Sequence, residues 1–262
     1  MQNIVQLTHT KNMEQIFSQA WEHFSKHWKF LSLASGIGIF LPMLLMFVPY
    51  IIMMASVIGM QHDFQHGGNA DPNLFAGGMI TSMILMFVLM FIIIIASTIT
   101  QVGLMKCAII ITNGGTPTRR DLFLDTNTYL KGFGAAVLCG FMMVAGIGIC
   151  FIPGIVIAFF VALTPFEIIS NPNTGIFEAI KKSFNLVGSD LKTSVVVMLL
   201  SGIISSIVSS ATGGLGMIPA YPFMFLTQAV LYQHLKSNMQ PPANNNVPPQ
   251  YNAPAPMLPP QY

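Results

Sequence analysis

The side chains best suited to chemistry lie together in one polar segment, at His62, Asp63 and His66. If this segment is helical, its two histidines, four residues apart, share a face and could supply two zinc ligands. A tetrahedral zinc site needs four ligands, and the next carboxylate, Asp71, follows a flexible glycine pair. We therefore favour a polar loop, keep metal binding as the weaker alternative, and assign no metal ligand.

The remaining reactive side chains predict packing rather than catalysis. Three cysteines lie in apolar surroundings, at spacings that fit neither a disulfide framework nor a zinc site: Cys107, Cys139 and Cys150. Glu167 lies near the end of a predicted crossing, and we expect its carboxylate to reach the membrane surface. Because no nucleophile–base pair lies at membrane depth, we expect no catalytic residue, no bound cofactor and no enzyme activity.

The composition indicates a membrane protein. Of the 262 residues, 53% are hydrophobic and only 8% are charged, whereas an ordinary soluble domain has about 25% charged residues. So few charges cannot cover a globule of 28.6 kDa in water. We therefore predict an all-α fold, a polytopic bundle of transmembrane helices with the lipid bilayer as its partner. We expect no nucleic-acid partner, and the oligomeric state stays open.

Four stretches lack Asp, Glu, Lys and Arg, and they are 30–62, 72–105, 132–166 and 193–235. A helical crossing needs about 20 apolar residues. The first two stretches predict one crossing each, with Pro42 and Pro49 kinking the first. A single helix over 132–166 would be about 52 Å long, so turns at Pro153-Gly154 and Thr212-Gly213-Gly214 divide the last two. The six predicted crossings are 31–59, 78–105, 133–152, 154–170, 194–211 and 215–232.

The positions of the basic residues support this count. With six crossings, the segments on one side contain no Lys or Arg, and all 11 basic residues fall on the other side. The positive-inside rule assigns that side to the cytoplasm. We predict a multi-pass protein of the inner (plasma) membrane with both termini cytoplasmic. We expect no cleaved signal peptide, because nearly thirty polar or amphipathic residues precede the first apolar run.

A short amphipathic segment precedes each predicted pair of crossings. In each segment an aliphatic–Phe pair is followed seven residues later by Phe or Leu: Ile16-Phe17 with Phe24, Leu122-Phe123 with Leu130, and Ile176-Phe177 with Phe184. Aromatic and basic faces suit helices lying in the headgroup layer. Thr116 is the expected N-cap of the second helix, and Asn173 or Thr174 that of the third. Either the chain repeats one unit three times, or segments beside lipid become amphipathic without repetition.

The resulting domain plan has three parts. An amphipathic interfacial segment occupies 1–30, the six-crossing membrane domain occupies 31–236, and a tail rich in Pro, Asn and Gln occupies 237–262. The tail has no charge and too few apolar residues for a core, so we predict disorder. It contains Pro-Pro-x-Tyr twice, ending at Tyr251 and Tyr262. This motif can bind a protein partner as polyproline II, although a low-complexity tail is the favoured interpretation.

Residues 130–236 resemble a known bacterial superfamily. The resemblance rests on Ile152-Pro153-Gly154 before an apolar helix, and on the segment from Glu178 to Val187 that reads EAIKKSFNLV. This pattern is similar to the membrane domains fused to bacterial glycerophosphodiester phosphodiesterases, and to stand-alone six-helix proteins of that superfamily. The resemblance implies a polytopic membrane domain with no established activity. No soluble segment is long enough for the phosphodiesterase domain, so no catalytic residue is carried over.

Small residues in the fifth crossing leave a choice between scaffold and transporter. They form two ridges at four-residue spacing, which are Ser201, Ser205, Ser209 and Gly202, Ser206, Ser210. Such ridges let helix backbones approach closely, and we favour packing over a polar pathway or a dimer face. Pro219 and Pro222 could break the sixth crossing as in transporters, although a simple kink is favoured. The leading hypothesis is a non-enzymatic membrane scaffold or interaction protein, and the alternative is a transporter or channel for a neutral or lipid-like substrate.

The six-crossing topology makes a direct prediction. A reporter enzyme fused after Asp71 should be active outside the cytoplasm, whereas fusions after Thr116, Asn173 and Lys236 should report cytoplasmic. Paired reporters, each active on one side of the membrane only, measure this. A cytoplasmic signal after Asp71 would contradict the six-crossing topology.

Overall fold

A computed structural model describes residues 2–65, 72–123, 126–149 and 151–239. These residues form ten α-helices, one π-helical turn and one 3-10 turn, and they contain no β-strand. In chain order, the helices α1 to α10 are Gln2–Ser35, Leu41–Leu45, Phe47–Gln65, Pro72–Thr112, Thr126–Ile149, Phe151–Val161, Thr164–Ser170, Ile176–Ser189, Leu191–Ala211 and Met217–Met239. The all-α fold class predicted from the sequence is confirmed.

The predicted first crossing is interrupted. α1 ends at Ser35, the π-helical turn Gly36–Phe40 follows, and α2 and α3 complete the stretch. A proline inside a helix lacks one N–H donor, and its ring clashes with the carbonyl four residues earlier. Pro42 and Pro49 therefore account for breaks where we predicted only kinks. The domain boundary predicted at residue 30 falls inside α1.

α3 and α4 form an antiparallel pair that contains a large share of the exposed apolar side chains. Gly78 of α4 lies against Ser56 of α3, and near the other end of the pair Gly38 lies against Thr100. α4 has 41 residues and is therefore about 60 Å long, roughly twice the thickness of a hydrocarbon core. In its most apolar 18-residue window, only 6% is buried inside the protein.

The chain reverses direction near both predicted turns. α5 ends at Ile149 and α6 begins at Phe151, slightly earlier than we predicted. Gly146 packs directly on Gly154, which leaves no room for a Cβ on either residue. Pro153 lies in the first turn of α6, where its missing N–H would have no helical partner.

The predicted fourth crossing consists of two helices, and a proline accounts for the division. α6 ends at Val161 and α7 begins at Thr164. Pro165 lies in the first turn of α7 and could not continue α6, because its ring would clash with the carbonyl of Val161. The two helices together still give an apolar segment of 18 residues, Pro153–Ser170.

α9 and α10 form the last hairpin, and its turn lies where we predicted it. Gly213 and Gly214 have φ values of 61° and 96°, a left-handed conformation that glycine adopts without strain. Across the hairpin, the Ser205 hydroxyl contacts the Ala220 carbonyl oxygen at 3.5 Å. Pro222 lies inside α10 without interrupting it, so the broken-helix alternative does not apply to these residues.

Four helical segments are long and apolar enough to cross a membrane among the described residues. They are Ala76–Thr112, Asn127–Gly148, Pro153–Ser170 and Leu191–Ala211, with a shorter apolar helix at Phe47–Gly59. α10 adds a fifth long helix that is less apolar. The six-crossing count stays a prediction, because α3 is short and α10 is less apolar than the four.

The main core lies where α1, α4, α7, α8, α9 and α10 meet. It contains Ile16 and Ala20 of α1, Leu104 and Cys107 of α4, and Leu231 of α10, all nearly inaccessible to solvent. The apolar face of the first amphipathic segment is therefore packed on protein rather than left for lipid. Trp21 and Trp28, at 62% and 49% exposed, lie at its edge, where the Trp21 ring contacts Phe223 of α10 edge-on.

The second and third amphipathic segments begin at other residues than we predicted. The second is not one helix from 117 to 130: a 3-10 turn, Arg119–Leu122, comes first, with Thr118 rather than Thr116 as its N-cap, and α5 begins at Thr126. In the third, α8 has Gly175 as its N-cap instead of Asn173 or Thr174. Because only the first and third segments are helical throughout, the common sequence pattern does not give the same local structure three times.

Gly103 supplies a test of the packing of the 3-10 turn. The Leu122 backbone lies so close to Gly103 that a Cβ there would overlap the carbonyl group of Leu122. Gly103→Ala should lower the free energy of unfolding by about 1–3 kcal/mol, as overpacked sites do. The matched control is Gly77→Ala in the same helix, where nothing lies within 4 Å, and it should be neutral or slightly stabilising. Unfolding in detergent measures both, and equal effects would contradict the contact.

Candidate functional site

One carboxylate, Glu167, is buried at the junction of α7, α8 and α10. Its side chain is only 5% exposed, in contrast to our prediction that it would reach the surface. α7 places it there, because Phe166 and Ile168 on either side are fully buried. A buried charge is costly unless it is paired and hydrogen-bonded, so the partners of this group decide what it can do.

Both carboxylate oxygens of Glu167 have donors. Tyr232 of α10 donates its hydroxyl proton to Oε2 at 2.6 Å, and the Asn171 side-chain amide donates to Oε1 at 2.8 Å. The Tyr232 ring stacks on Phe166 with centroids 6.2 Å apart. Lys236, one turn later in α10, donates to the Tyr232 hydroxyl oxygen at 3.2 Å.

Lys182 of α8 connects this buried group to the surface. Its Nζ lies 3.3 Å from Oε1 of Glu167 and 3.0 Å from Oε1 of Glu178, and its side chain is 41% exposed. The hydrogen bond with Glu178 raises the pKa of Lys182, burial lowers it by less, and the Glu167 carboxylate adds to the increase. Lys182 therefore stays protonated at neutral pH and loses its proton only as the pH rises above the ordinary lysine value.

The arrangement joins helices rather than activating a substrate. We define the Glu167 cluster as Glu167, Asn171, Lys182 and Tyr232. It ties α7 to α8 through an ion pair and to α10 through the tyrosine hydroxyl. Both carboxylate oxygens of Glu167 accept from groups of the same chain, so the charge of Glu167 is held in place and hydrogen-bonded. Such a group specifies how helices pack.

Within the part of the chain that the structure describes, the candidate metal and thiol residues form no site. Among the described residues, no group of three His, Cys, Asp or Glu side chains could hold a metal ion. His62 lies near the end of α3, whereas His66, Asp71 and the side chain of Asp63 lie outside the described residues. Cys107 is buried and Cys139 is half-buried, and both are free thiols. Cys150 lies outside the described part of the chain.

The two serine ridges of α9 have different surroundings. Ser201 is fully buried and donates to the Met198 carbonyl, and Ser205 donates to the Ser201 carbonyl at 2.8 Å. These two hydroxyls thus bond to their own helix while the ridge packs on α10. On the second ridge, Ser206 and Ser210 are exposed. The predicted packing role therefore fits the first ridge only.

The partners of Glu167 could not be identified from the sequence. Asn171 is four residues from Glu167, and a helix brings residues at this spacing together. The spacing alone could therefore have predicted this one contact. Tyr232 is 65 residues away, and no local pattern connects it to α7. The one available signal was the charge itself, because an acidic residue at the end of an apolar stretch needs a partner.

Comparisons with protein-family models, with curated proteins and with solved structures give no match to this chain. The assignment of function therefore rests on the residues and their geometry.

The Glu167 cluster predicts a specific stability loss. Tyr232→Phe removes the hydroxyl donor and leaves Oε2 of Glu167 buried without that hydrogen bond, which should cost about 1–3 kcal/mol of unfolding free energy. The control is Tyr221→Phe in the same helix, a half-buried tyrosine with no hydrogen bond from its hydroxyl among the described contacts. It should change stability by less than about 0.5 kcal/mol. Unfolding midpoints of the purified variants measure this, and a harmless Tyr232→Phe would refute the cluster's role.

Proposed function

We propose that the chain is an integral protein of the inner (plasma) membrane whose bundle acts as a non-enzymatic scaffold or interaction protein. In this proposal six crossings place both termini in the cytoplasm, and the 237–262 tail offers a contact for a protein partner. The resemblance of residues 130–236 to the membrane-domain superfamily is part of the same proposal.

The observation that carries the membrane location is that the most apolar helix is also the least buried. α4 is the most apolar of the four candidate segments, and it also has the smallest buried share, 6%. Contiguous exposed apolar patches on soluble monomers rarely exceed a few hundred Å². A helix exposed in this way over several turns fits lipid as its solvent.

The scaffold role is supported by how the polar groups inside the bundle are used. Glu167 is held by three donors from its own chain, and Ser201 and Ser205 bond to carbonyls of their own helix. Coupled transporters place ionisable or polar groups where substrate can reach them. Here the two best candidates for such a pathway serve internal packing instead.

Reconstitution tests the scaffold against the transporter. Liposomes containing the purified chain should release a panel of entrapped neutral solutes no faster than protein-free liposomes, because the side chains of Glu167, Ser201 and Ser205 are already hydrogen-bonded within the protein. Release is followed by stopped-flow light scattering, with a known channel protein as the positive control.

A second arm tests the interaction role directly. The full chain and a variant ending at Lys236 are compared in pull-downs, and a partner lost with the tail supports the scaffold. Flux that disappears when Ser201 and Ser205 are replaced by leucine would instead establish the transporter.

A further inference from the structure

The 3-10 turn between α4 and α5 has an unusual combination of groups for a short connection. We define the basic turn as residues 118–123. Arg119 and Arg120 are exposed, and Phe123 beside them is 68% exposed. Neither guanidinium pairs with a carboxylate of the described residues, where the ion pairs involve only lysines. Two unpaired cations thus stand next to an exposed aromatic ring.

Five contacts hold the basic turn in place. The Asp121 carboxylate accepts hydrogen bonds from the Thr118 N–H at 2.8 Å and from its hydroxyl at 2.6 Å. Lys106 lies 3.9 Å from the same carboxylate. The Leu122 carbonyl packs on Gly103 and accepts from the Tyr129 hydroxyl at 3.0 Å. The Asp121 carboxylate is therefore already bonded within the protein, and Arg119 and Arg120 belong to a backbone segment that these contacts hold in place.

The turn lies at the edge of the surface that faces lipid. The exposed large apolar side chains of α4 end at Ile95, and its buried part begins at Val102. The basic turn packs at Gly103, about 12 Å further along the helix axis than Ile95. On the neighbouring α5, Leu130 and Phe133 are 66% and 44% exposed. The headgroup layer extends about 5–8 Å beyond the hydrocarbon core on each side, and a long arginine side chain can span the remaining distance.

We propose that the basic turn is a binding site for the headgroup of an anionic phospholipid. Phe123 enters the interfacial layer, and Arg119 and Arg120 donate hydrogen bonds to the phosphate oxygens, for which the planar guanidinium is well suited. Charge complementarity selects the ligand: two unpaired cations beside an apolar surface match an anionic headgroup and its acyl chains. This proposal rests on the membrane location proposed above, and it adds a lipid preference to it.

Native mass spectrometry of the full chain in detergent tests this site. Phosphatidylglycerol is titrated against phosphatidylcholine, and the wild-type chain should bind the anionic lipid more tightly. Arg119→Gln with Arg120→Gln should weaken phosphatidylglycerol binding by roughly fivefold per arginine, from the typical attraction of one cation to an anionic surface. Phosphatidylcholine binding should hardly change.

The control removes the same charge elsewhere. Lys11→Gln with Lys26→Gln on the exposed face of α1 should change phosphatidylglycerol binding by less than about twofold, because Lys26 is already paired with Glu22. An equal loss in this control, or no lipid preference in the wild type, would overturn the proposal. Arg119→Lys with Arg120→Lys provides a milder second variant, which keeps the charge and should retain part of the preference.

Two further measurements separate the possible explanations. Soluble glycerol phosphate should not displace phosphatidylglycerol at equal concentration, and displacement would identify a site for free phosphate instead of lipid. Retention of the wild type in carbonate-washed membranes tests the membrane location by itself. If the wild type is washed out, the proposed location fails, whereas wild-type retention without lipid preference refutes only the headgroup site.

Discussion

The structure depends on one constraint, which is that the chain buries little of its most apolar surface against itself. α4 leaves most of its large apolar side chains from Met79 to Ile95 exposed and packs tightly from Val102 onward. A protein in water gains its stability by removing such side chains from solvent. In lipid that driving force is absent between helices, so close packing and polar contacts must hold the bundle together. The remaining features follow from where those contacts are placed.

Close packing is concentrated at a few glycines. Gly146 against Gly154 brings α5 and α6 together at backbone distance, and Gly103 does the same for α4 and the basic turn. Without a Cβ at these positions, dispersion contacts between backbones replace the hydrophobic effect. Polar contacts are concentrated elsewhere, at the junction of α7, α8 and α10 around Glu167. The hydrogen bond from the Tyr232 hydroxyl to Glu167 joins α10 to α7, two helices that are far apart in the sequence.

The sequence was a good guide to whatever depends on local chemistry. Residue hydropathy predicted the all-α class, and glycine conformation predicted the turn at Gly213-Gly214, which has left-handed φ values. Proline marked the interruptions at Pro42 and Pro165, although breaks were observed where a kink or a continuous crossing had been expected. The reason is that a proline's lost hydrogen bond is a local property, whereas the geometry that follows depends on neighbouring helices.

Properties that depend on distant partners could not be predicted in this way. An amphipathic pattern cannot distinguish a lipid surface from a protein surface, since both are apolar. The apolar face of α1 could therefore be assigned to the headgroup layer even though Ile16 and Ala20 pack into the main core. For the same reason Glu167 was placed at the surface. Its burial requires Tyr232, and nothing in the residues around α7 indicates a tyrosine 65 positions later.

The two polar features of the bundle differ in one respect that bears on function. In the Glu167 cluster the charges are matched within the chain, since Lys182 lies within 3.3 Å of both Glu167 and Glu178. In the basic turn the acid is matched by Thr118 and Lys106, and the two arginines are left over. Matched groups fix how helices pack, because removing Lys182 or Tyr232 leaves the buried Glu167 carboxylate without that partner. Arg119 and Arg120 pair with no carboxylate of the described residues and so remain available to an outside anion, for which we propose the phosphate of a lipid.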